Sequence, residues 1–142
     1  MLRVKYLLAL KGKDVWSIEP DAPVLAAIQL MADKRIGAVP VMHGTELLGI
    51  VSERDYARKV ILKGRSSADT PVRDIMSTPV TTISPDDAVP NCMAIMTEQR
   101  IRHLPVVEKG KVVGMISIGD LVKAVMEEQQ QTIDQLERYI AS

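Results

Sequence analysis

Apolar residues recur at helical spacing in two separate segments of the chain. They repeat at intervals of three and four residues, at Val24, Ala27, Ile28 and Met31 and again at Val89, Cys92, Met93 and Met96. This periodicity predicts two amphipathic α-helices, each with a buried stripe. Each helix is expected to begin at an acidic N-cap, Asp21 in the first and Asp86 or Asp87 in the second. Pro23 and Pro90 agree with these starts, because proline is tolerated in the first helical turn.

Apolar runs with β-strand character surround each predicted helix. A short run precedes the helix, at 15–18 and at 80–83, and two runs follow it, at 38–42 and 46–52 and at 103–107 and 111–117. A glycine lies in each short connection between the paired runs, Gly44 and Gly110, and this predicts two β-hairpins. A further helix is predicted after Ser52 and after Ser117.

The two halves are copies of one unit. Residues 20–56 align with residues 85–121 without a gap, and 11 of these 37 positions are identical. Each copy reads β-α-β-β-α, so the predicted fold class is α+β, in the wider α/β group, with two pseudo-symmetric repeats and a long C-terminal helix. One repeat is too short for a confident core, whereas two repeats packed sheet to sheet can form one. Such packing leaves two similar clefts between the repeats.

Composition narrows the classes of function. The 142 residues carry 18 basic and 18 acidic side chains, and this balance argues against a general binder of nucleic acids or membrane surfaces. No apolar run approaches transmembrane length, and the stretch 6–10 is too short for the core of a signal peptide. The single cysteine, Cys92, cannot form an internal disulfide, which suits a reducing compartment. We therefore expect a cytoplasmic protein.

One short phrase occurs once in each repeat, GIVSERD at 49–55 and GMISIGD at 114–120. A serine followed three residues later by an acidic residue is typical of a capping box at a helix start. The same side chains also suit a nucleotide, because a hydroxyl at a helix N-terminus can donate to a phosphate oxygen. The carboxylate can accept from both hydroxyls of a ribose. Both interpretations remain open at this point.

The ordered set of repeated features resembles a tandem pair of cystathionine-β-synthase (CBS) domains. It comprises the paired β-α-β-β-α units, the repeated Ser-x-x-Asp phrase and an apolar-Pro-Val pattern before each hairpin. The segment VRDIMSTPVTTI at 72–83 also resembles the lead into the second domain of such pairs. The resemblance divides the chain into a first CBS repeat at 7–63, a linker at 64–79, a second CBS repeat at 80–127 and a C-terminal helical extension at 128–142.

The resemblance implies a regulatory or sensor protein that needs no cofactor. Its ligand would be an adenine nucleotide (AMP, ADP, ATP or NAD, or in some members S-adenosylmethionine), bound in the clefts between the repeats. Asp55 and Asp120 match the ribose-binding acid of the family, and Ser52 and Ser117 match its phosphate-facing hydroxyl. The other candidate ligand-binding positions match the strand beside the adenine and the residues before the edge strand: Ser17, Ile18, Thr82, Ile83, Gly37, Ala38, Arg102 and His103.

The two copies differ in charge around these positions. The first has Arg54 inside the Ser-x-x-Asp phrase, and the second has Arg102 and His103 where the first has Gly37 and Ala38. Basic groups from both repeats can therefore converge on one cleft, where guanidinium groups would pair with phosphate. We expect two sites with different ligand preferences.

The helical pattern continues beyond Asp120. Apolar residues recur along this tail, at Leu121, Val125, Ile133, Leu136 and Ile140, and such a face needs cover. The tail could fold back on its own module, pair with a second chain or fray in solvent. The resemblance favours a homodimer.

No metal-ligand spacing, nucleophile elbow or Gly-rich phosphate loop is visible in the sequence. No catalytic or metal-binding residue is therefore predicted, and we do not expect an enzyme. The first hypothesis is a nucleotide sensor that signals to an unidentified protein by a conformational or oligomeric change. The alternative is a ligand-free adaptor for protein interactions, in which Ser-x-x-Asp only caps a helix.

Overall fold

The computed structural model describes residues 2–12 and 14–142 and shows five α-helices and four β-strands in that part of the chain. In chain order these are α1 (Val4–Lys11), α2 (Val24–Lys34), β1 (Ala38–His43), β2 (Glu46–Ser52), α3 (Glu53–Tyr56), α4 (Val89–Gln99), β3 (His103–Glu108), β4 (Lys111–Ser117) and α5 (Ile118–Ala141). A π-helical segment, Ala57–Ile61, continues α3, and a short 3-10 turn spans Val72–Asp74. No helix among these residues has the length and apolar character of a membrane span.

Both predicted hairpins are present and have the same register. In the first, β1 pairs with β2 antiparallel, and in the second β3 pairs with β4. Each hairpin carries a bulge at the equivalent place, after Val41 and after Val106. Gly44 and Gly110 both have positive φ, which is the turn geometry that glycine permits. The α+β class and the duplication are therefore confirmed, with two small antiparallel sheets.

The strands predicted at 15–18 and 80–83 are wrong. Only Ile18 and Ile83 pair, each through one isolated parallel bridge, to Val41 on β1 and to Val106 on β3. Two residues after Ile18 the chain enters a turn, so the extended segment ends before a ladder can form. Each repeat is therefore a helix, a hairpin and a second helix, with one bridging residue beside the hairpin.

The predicted acidic N-caps are also wrong. The residues at the N-cap positions are Pro23 for α2 and Ala88 for α4, and neither provides a side-chain cap. Distant main-chain carbonyls take the free N–H groups instead, since the amide of Val24 donates to Thr70 O (2.8 Å) and that of Val89 donates to Leu2 O (2.9 Å). Main-chain carbonyls that are distant in sequence thus accept hydrogen bonds from the N–H groups that every helix start leaves unpaired.

These capping contacts belong to two leader segments, residues 2–8 and 70–76. Each leader packs on the repeat that it does not precede, and we call this arrangement the leader exchange. The first leader precedes the first repeat but bonds to the second, with the amide of Val4 donating to Asp87 O (3.0 Å). The second leader precedes the second repeat but bonds to the first, with the amide of Val72 donating to Ala22 O (2.8 Å). The two exchanges follow the same geometry in opposite directions.

The leaders also complete the two apolar cores. Val4, Leu7 and Leu8 are buried with the second repeat, against side chains such as Val89, Cys92, Leu104, Ile116 and Leu121. Val72 and Ile75 are buried with the first repeat, against Val24, Met31, Val39, Val51 and Val60. The α1 helix was not predicted from the sequence, and the segment 64–79, predicted as a linker, contributes buried residues to a core.

The C-terminal helix is confirmed, and it runs without a break from the helix start predicted after Ser117. The α5 helix runs for 24 residues, and only its first turns pack against the second repeat, through Leu121, Ala124 and Val125. Beyond these residues it is a continuous helix with exposed apolar side chains. It does not fold back on its own module.

The leader exchange predicts unequal effects for two leucines of α1. We expect Leu8→Ala to lower the free energy of unfolding by about 2–5 kcal/mol, because Leu8 is buried against Gly114 in the core of the second repeat. Leu10 is 84% exposed, so Leu10→Ala should change that free energy by no more than about 0.5 kcal/mol. Urea unfolding of both variants checks this, and equal effects would mean that α1 does not pack as described.

Candidate functional site

Both Ser-x-x-Asp phrases form complete capping boxes. At the start of α3, Asp55 N donates to Ser52 Oγ (3.2 Å) and Ser52 N donates to Asp55 Oδ2 (2.9 Å). At the start of α5, Asp120 and Ser117 repeat both bonds at 3.1 and 2.9 Å. The capping interpretation is therefore confirmed for both phrases.

A cavity of about 530 Å³ opens beside the first phrase, between the two repeats. This volume lies in the range of small-molecule sites. Seven of the predicted site residues line it, and they come from both repeats: Gly37, Ala38, Ser52, Arg54, Asp55, Arg102 and His103. We call this cavity the first cleft.

Asp55 is a largely buried acidic group of the first cleft. Its side chain is only 13% exposed, and Lys59 Nζ lies 3.1 Å from Oδ1. Ser77 Oγ donates to the same oxygen at 3.3 Å, while Lys59 also donates to Ile75 O at 2.9 Å. The carboxylate is thus held by donors from Ser52 at the end of β2, from the π-helical segment and from the chain just after the second leader.

The first cleft carries more positive than negative side chains. Five basic residues line it, Arg54, Arg58, Lys59, Arg100 and Arg102, against two acidic ones, Glu53 and Asp55. The guanidinium of Arg54 also spans the repeats, since Nη1 donates to Arg100 O at 3.2 Å. Such an excess of cations in a concave site favours an anionic ligand.

His103 lies in the first cleft at the point where the two repeats meet. Its imidazole lies next to Gly37, where an added Cβ would stand 3.1 Å from Nε2, so the missing side chain lets the two repeats approach. Burial lowers the pKa of His103, and Lys11 lowers it further, while Asp120 acts in the opposite direction and Arg102 again lowers it. His103 is therefore neutral near pH 7 and offers a hydrogen bond rather than a charge.

Six predicted site residues lie outside the first cleft: Ser17, Ile18, Thr82, Ile83, Ser117 and Asp120. The backbone of Ile83 is already paired, since its amide donates to Pro105 O (3.0 Å) and its carbonyl accepts from Val107 N (2.8 Å). The wall of the cleft is formed slightly earlier in the chain, by Val80, Thr81 and their neighbours Ser77 and Pro79. The sequence signal that covers these residues is the segment at 72–83, which resembles the lead into the second CBS domain.

The second phrase has a different environment, because α1 covers it. Lys11 Nζ donates to Asp120 Oδ2 and to Met115 O, both at 2.7 Å. Leu8 packs directly on Gly114, three residues before Ser117. Burial raises the pKa of Asp120, but the hydrogen bonds from Lys11 and Ser117 and the charge of Lys11 outweigh it and leave that pKa below its ordinary value. Ser117 and Asp120 therefore lie apart from the first cleft, and the ammonium of Lys11 pairs with the Asp120 carboxylate.

Cys92 lies in a core and adds no reactive group to the first cleft. Cys92 is buried in the core of the second repeat, where burial raises the pKa of its thiol to about 11, so it acts as the small hydrophobic residue that the sequence predicted. Across residues 2–12 and 14–142, no group of three or more His, Cys, Asp or Glu side chains could hold a metal ion.

The sequence model of the CBS domain matches residues 10–62 and 72–127, which is more than half of the chain. The chain therefore belongs to the CBS domain family and contains two copies of the domain. The two matched segments coincide with the two hairpins and their flanking helices.

Known proteins agree with this assignment. The Arabidopsis thaliana "CBS domain-containing protein CBSX3, mitochondrial" is 40% identical over 134 residues, covering 91% of this chain, and the chain spans 65% of its length. A CBS-domain protein from Burkholderia ambifaria is 48% identical, with a TM-score of 0.84 over 89% of this chain and 94% of that one.

A more distant structure shares the fold at 21% identity. It is the CBS domain pair of protein MJ0100, solved with 5′-methylthioadenosine and S-adenosyl-L-methionine. Its TM-score is 0.79, over 90% of this chain and 98% of that one.

The Lys11–Asp120 pair predicts an acid-sensitive contribution to stability. Because folding lowers the pKa of Asp120, its charge stabilises the folded state above the unfolded pKa, and this contribution is lost as the pH falls through the folded pKa. Asp120→Asn keeps a capping oxygen but removes the charge, so we expect it to be less stable than the parent by roughly 0.5–1 kcal/mol at pH 6. That gap should close below pH 3.8, the ordinary value for aspartate.

Urea unfolding at a series of pH values measures this gap. Asp33→Asn is the matched control, because Asp33 is exposed on α2 and shows no ion pair among the described residues. A gap for Asp120→Asn that does not change with pH would rule out a stabilising charge at this position.

Proposed function

We propose that this protein is a regulatory module that binds an adenine nucleotide (AMP, ADP, ATP or NAD) in the first cleft and is not an enzyme. The observation that carries the proposal is the meeting, in one cavity, of the Asp55 carboxylate with basic side chains from both repeats. A carboxylate suits the hydroxyls of a ribose, and guanidinium groups suit phosphate. No other cavity is needed for this function.

The ligand would replace contacts that the free protein makes within itself. The ribose hydroxyls would donate to Asp55 where Ser77 and Lys59 now do, at 3.3 and 3.1 Å. The phosphates would lie toward Arg54 and Arg102, and the base would lie against the apolar wall that includes Ile50 and Val80. The Oγ atom of Ser52 would still accept the hydrogen bond from Asp55 N, while its hydroxyl proton would be donated to the ligand.

Signalling follows from the position of these groups. Lys59 joins Asp55 to the carbonyl of Ile75, which is a core residue of the second leader. A ligand that takes over Asp55 releases Lys59, and the second leader loses one of its ties to the first repeat. This change would be transmitted to a protein target or, in the expected homodimer, to the second copy of the chain.

The family supports an adenosyl ligand in general terms, because the related domain pair was solved with two adenosyl compounds. The particular nucleotide is our proposal, as are the homodimer and the protein target. The cytoplasmic location stays a prediction, and the Arabidopsis relative is named mitochondrial. The adaptor alternative is favoured by one observation, the capping boxes that are complete without any ligand.

Ligand binding separates the two functions. A nucleotide present at about 100 times its dissociation constant would stabilise the fold by about 2.7 kcal/mol, and an adaptor would show no such effect. Thermal unfolding with AMP, ADP, ATP, NAD and S-adenosylmethionine, with GTP as the control for the base, is the first measurement. No shift with any adenosyl compound would reject the sensor and favour the adaptor.

The binding role of Asp55 predicts a selective loss of affinity. We expect Asp55→Asn to weaken binding about 5- to 150-fold, because losing a charged acceptor costs about 1–3 kcal/mol. Asp120→Asn is the matched control and should bind as the parent does, since Asp120 lies outside the first cleft. Isothermal titration calorimetry measures both, and equal losses in the two variants would refute the assignment of the site.

The pairing of Lys11 with Asp120 predicts the stoichiometry. We propose that the parent protein binds one nucleotide per chain, rather than at the two sites expected from the sequence, because the second ribose-binding acid is held by Lys11. Lys11→Met should free Asp120 and raise the stoichiometry toward two, whereas Lys5→Met, on the exposed face of the same helix, should leave it at one. Calorimetric titration reports this number directly.

The opposite outcome is equally informative. If Lys11→Met lowers affinity and leaves the stoichiometry at one or below, Lys11 contributes to a ligand site rather than closing one. Adding Asp120→Asn to the Lys11→Met variant should remove the second binding event while the first remains.

A further inference from the structure

A row of exposed, mostly apolar side chains lies along α5. Its members share one face at regular spacing, and all but the central Gln129 are apolar: Val122, Met126, Gln129, Ile133, Leu136 and Ile140. We call these six residues the tail stripe. Its apolar side chains are 39–80% exposed, and Ile140 is at the upper limit. Apolar side chains exposed in a continuous row mark an interaction surface.

The spacing of the tail stripe is that of a coiled coil. The intervals alternate between four and three residues, which is the heptad repeat with Met126, Ile133 and Ile140 at a positions and Val122, Gln129 and Leu136 at d positions. A lone helix of this composition needs a partner helix with a matching seam.

We propose that the tail stripe pairs with the same stripe of a second copy of this chain, antiparallel and centred on Gln131. In this register each a residue meets a d residue of the partner. Val122 faces the partner's Ile140, Met126 faces the partner's Leu136, and Gln129 faces the partner's Ile133. Every layer is matched, because the six positions are symmetric about residue 131. The interface is thus self-complementary, as a twofold dimer requires.

Charge complementarity selects the antiparallel direction. Lys123 and Glu137 both occupy e positions, which flank the seam, and the antiparallel register sets Lys123 against the partner's Glu137 twice by symmetry. In a parallel pair these two residues stand 14 positions apart, which is about 21 Å along the helix, and the two Gln129 side chains would share one apolar layer. The parallel pair gains no ion pair at its e and g positions.

The pairing is compatible with the module that carries the helix. Ala124 and Val125 face the core of the second repeat, whereas Val122 and Met126 on the adjoining face are exposed. The partner helix can therefore lie along α5 without displacing its contacts with the module. This pairing does not involve the first cleft, so it stands whether or not a nucleotide binds.

Charge reversal tests the proposal. We expect Lys123→Glu and Glu137→Lys each to raise the dissociation constant of the dimer at least about tenfold, and the double variant to restore the parent value, because only the antiparallel register brings the two positions together. Glu128→Lys is the matched control, since it makes the same charge change at a c position away from the seam. Sedimentation velocity over a range of concentrations measures all four against the 15.7 kDa monomer.

Disulfide formation tests the direction independently. Val122→Cys and Ile140→Cys proteins should form a cross-linked dimer when mixed but not separately, and the native Cys92 does not interfere because it is fully buried. A parent protein that is monomeric at all concentrations would overturn the proposal. So would failure of the double charge variant to recover, or cross-linking of each cysteine variant with itself but not with the other.

Discussion

Two leader segments, residues 2–8 and 70–76, each pack on the repeat that they do not precede. Each repeat has a hairpin and two helices, but its core is closed by apolar residues that precede the other repeat, such as Leu8 and Ile75. The same segments supply the carbonyls that satisfy the starts of α2 and α4. Because apolar burial and backbone pairing coincide in one contact, neither repeat is complete by itself. The cleft depends on this too, since its wall at 77–81 directly follows the second leader.

The same exchange explains why one repeated phrase has two environments. Both phrases form the same capping box, so their local sequence gives them the same local structure. The chain that follows each leader differs, however. After the second leader it lines an open cavity, whereas α1 ends in Lys11, whose ammonium binds Asp120. The asymmetry thus comes from residues that lie outside the duplicated segments 20–56 and 85–121.

Short-range patterns predicted the hairpins, the capping boxes and the buried stripes of α2 and α4, because each depends on residues close in sequence. The N-caps at Asp21 and at Asp86 or Asp87 failed, since the donors are satisfied by carbonyls about 45 to 90 residues away in the chain, at Thr70 and Leu2. The early strands failed because pairing to β1 and β3 is limited to one residue each. Of the candidate site, the residues on the hairpins and on α3 meet in the first cleft, whereas its wall depends on the path of the second leader.

The reciprocal contacts of the leaders have a bearing on the origin of the chain. A single repeat with its own leader could be completed only by a second identical copy, each placing its leader on the other in a domain-swapped homodimer. Joining two such genes end to end would preserve every contact, because the connection already runs from the end of one repeat into the leader of the next. Once fused, the two copies could diverge independently. Two originally equivalent sites could then become an open cleft in one case and an ion pair in the other.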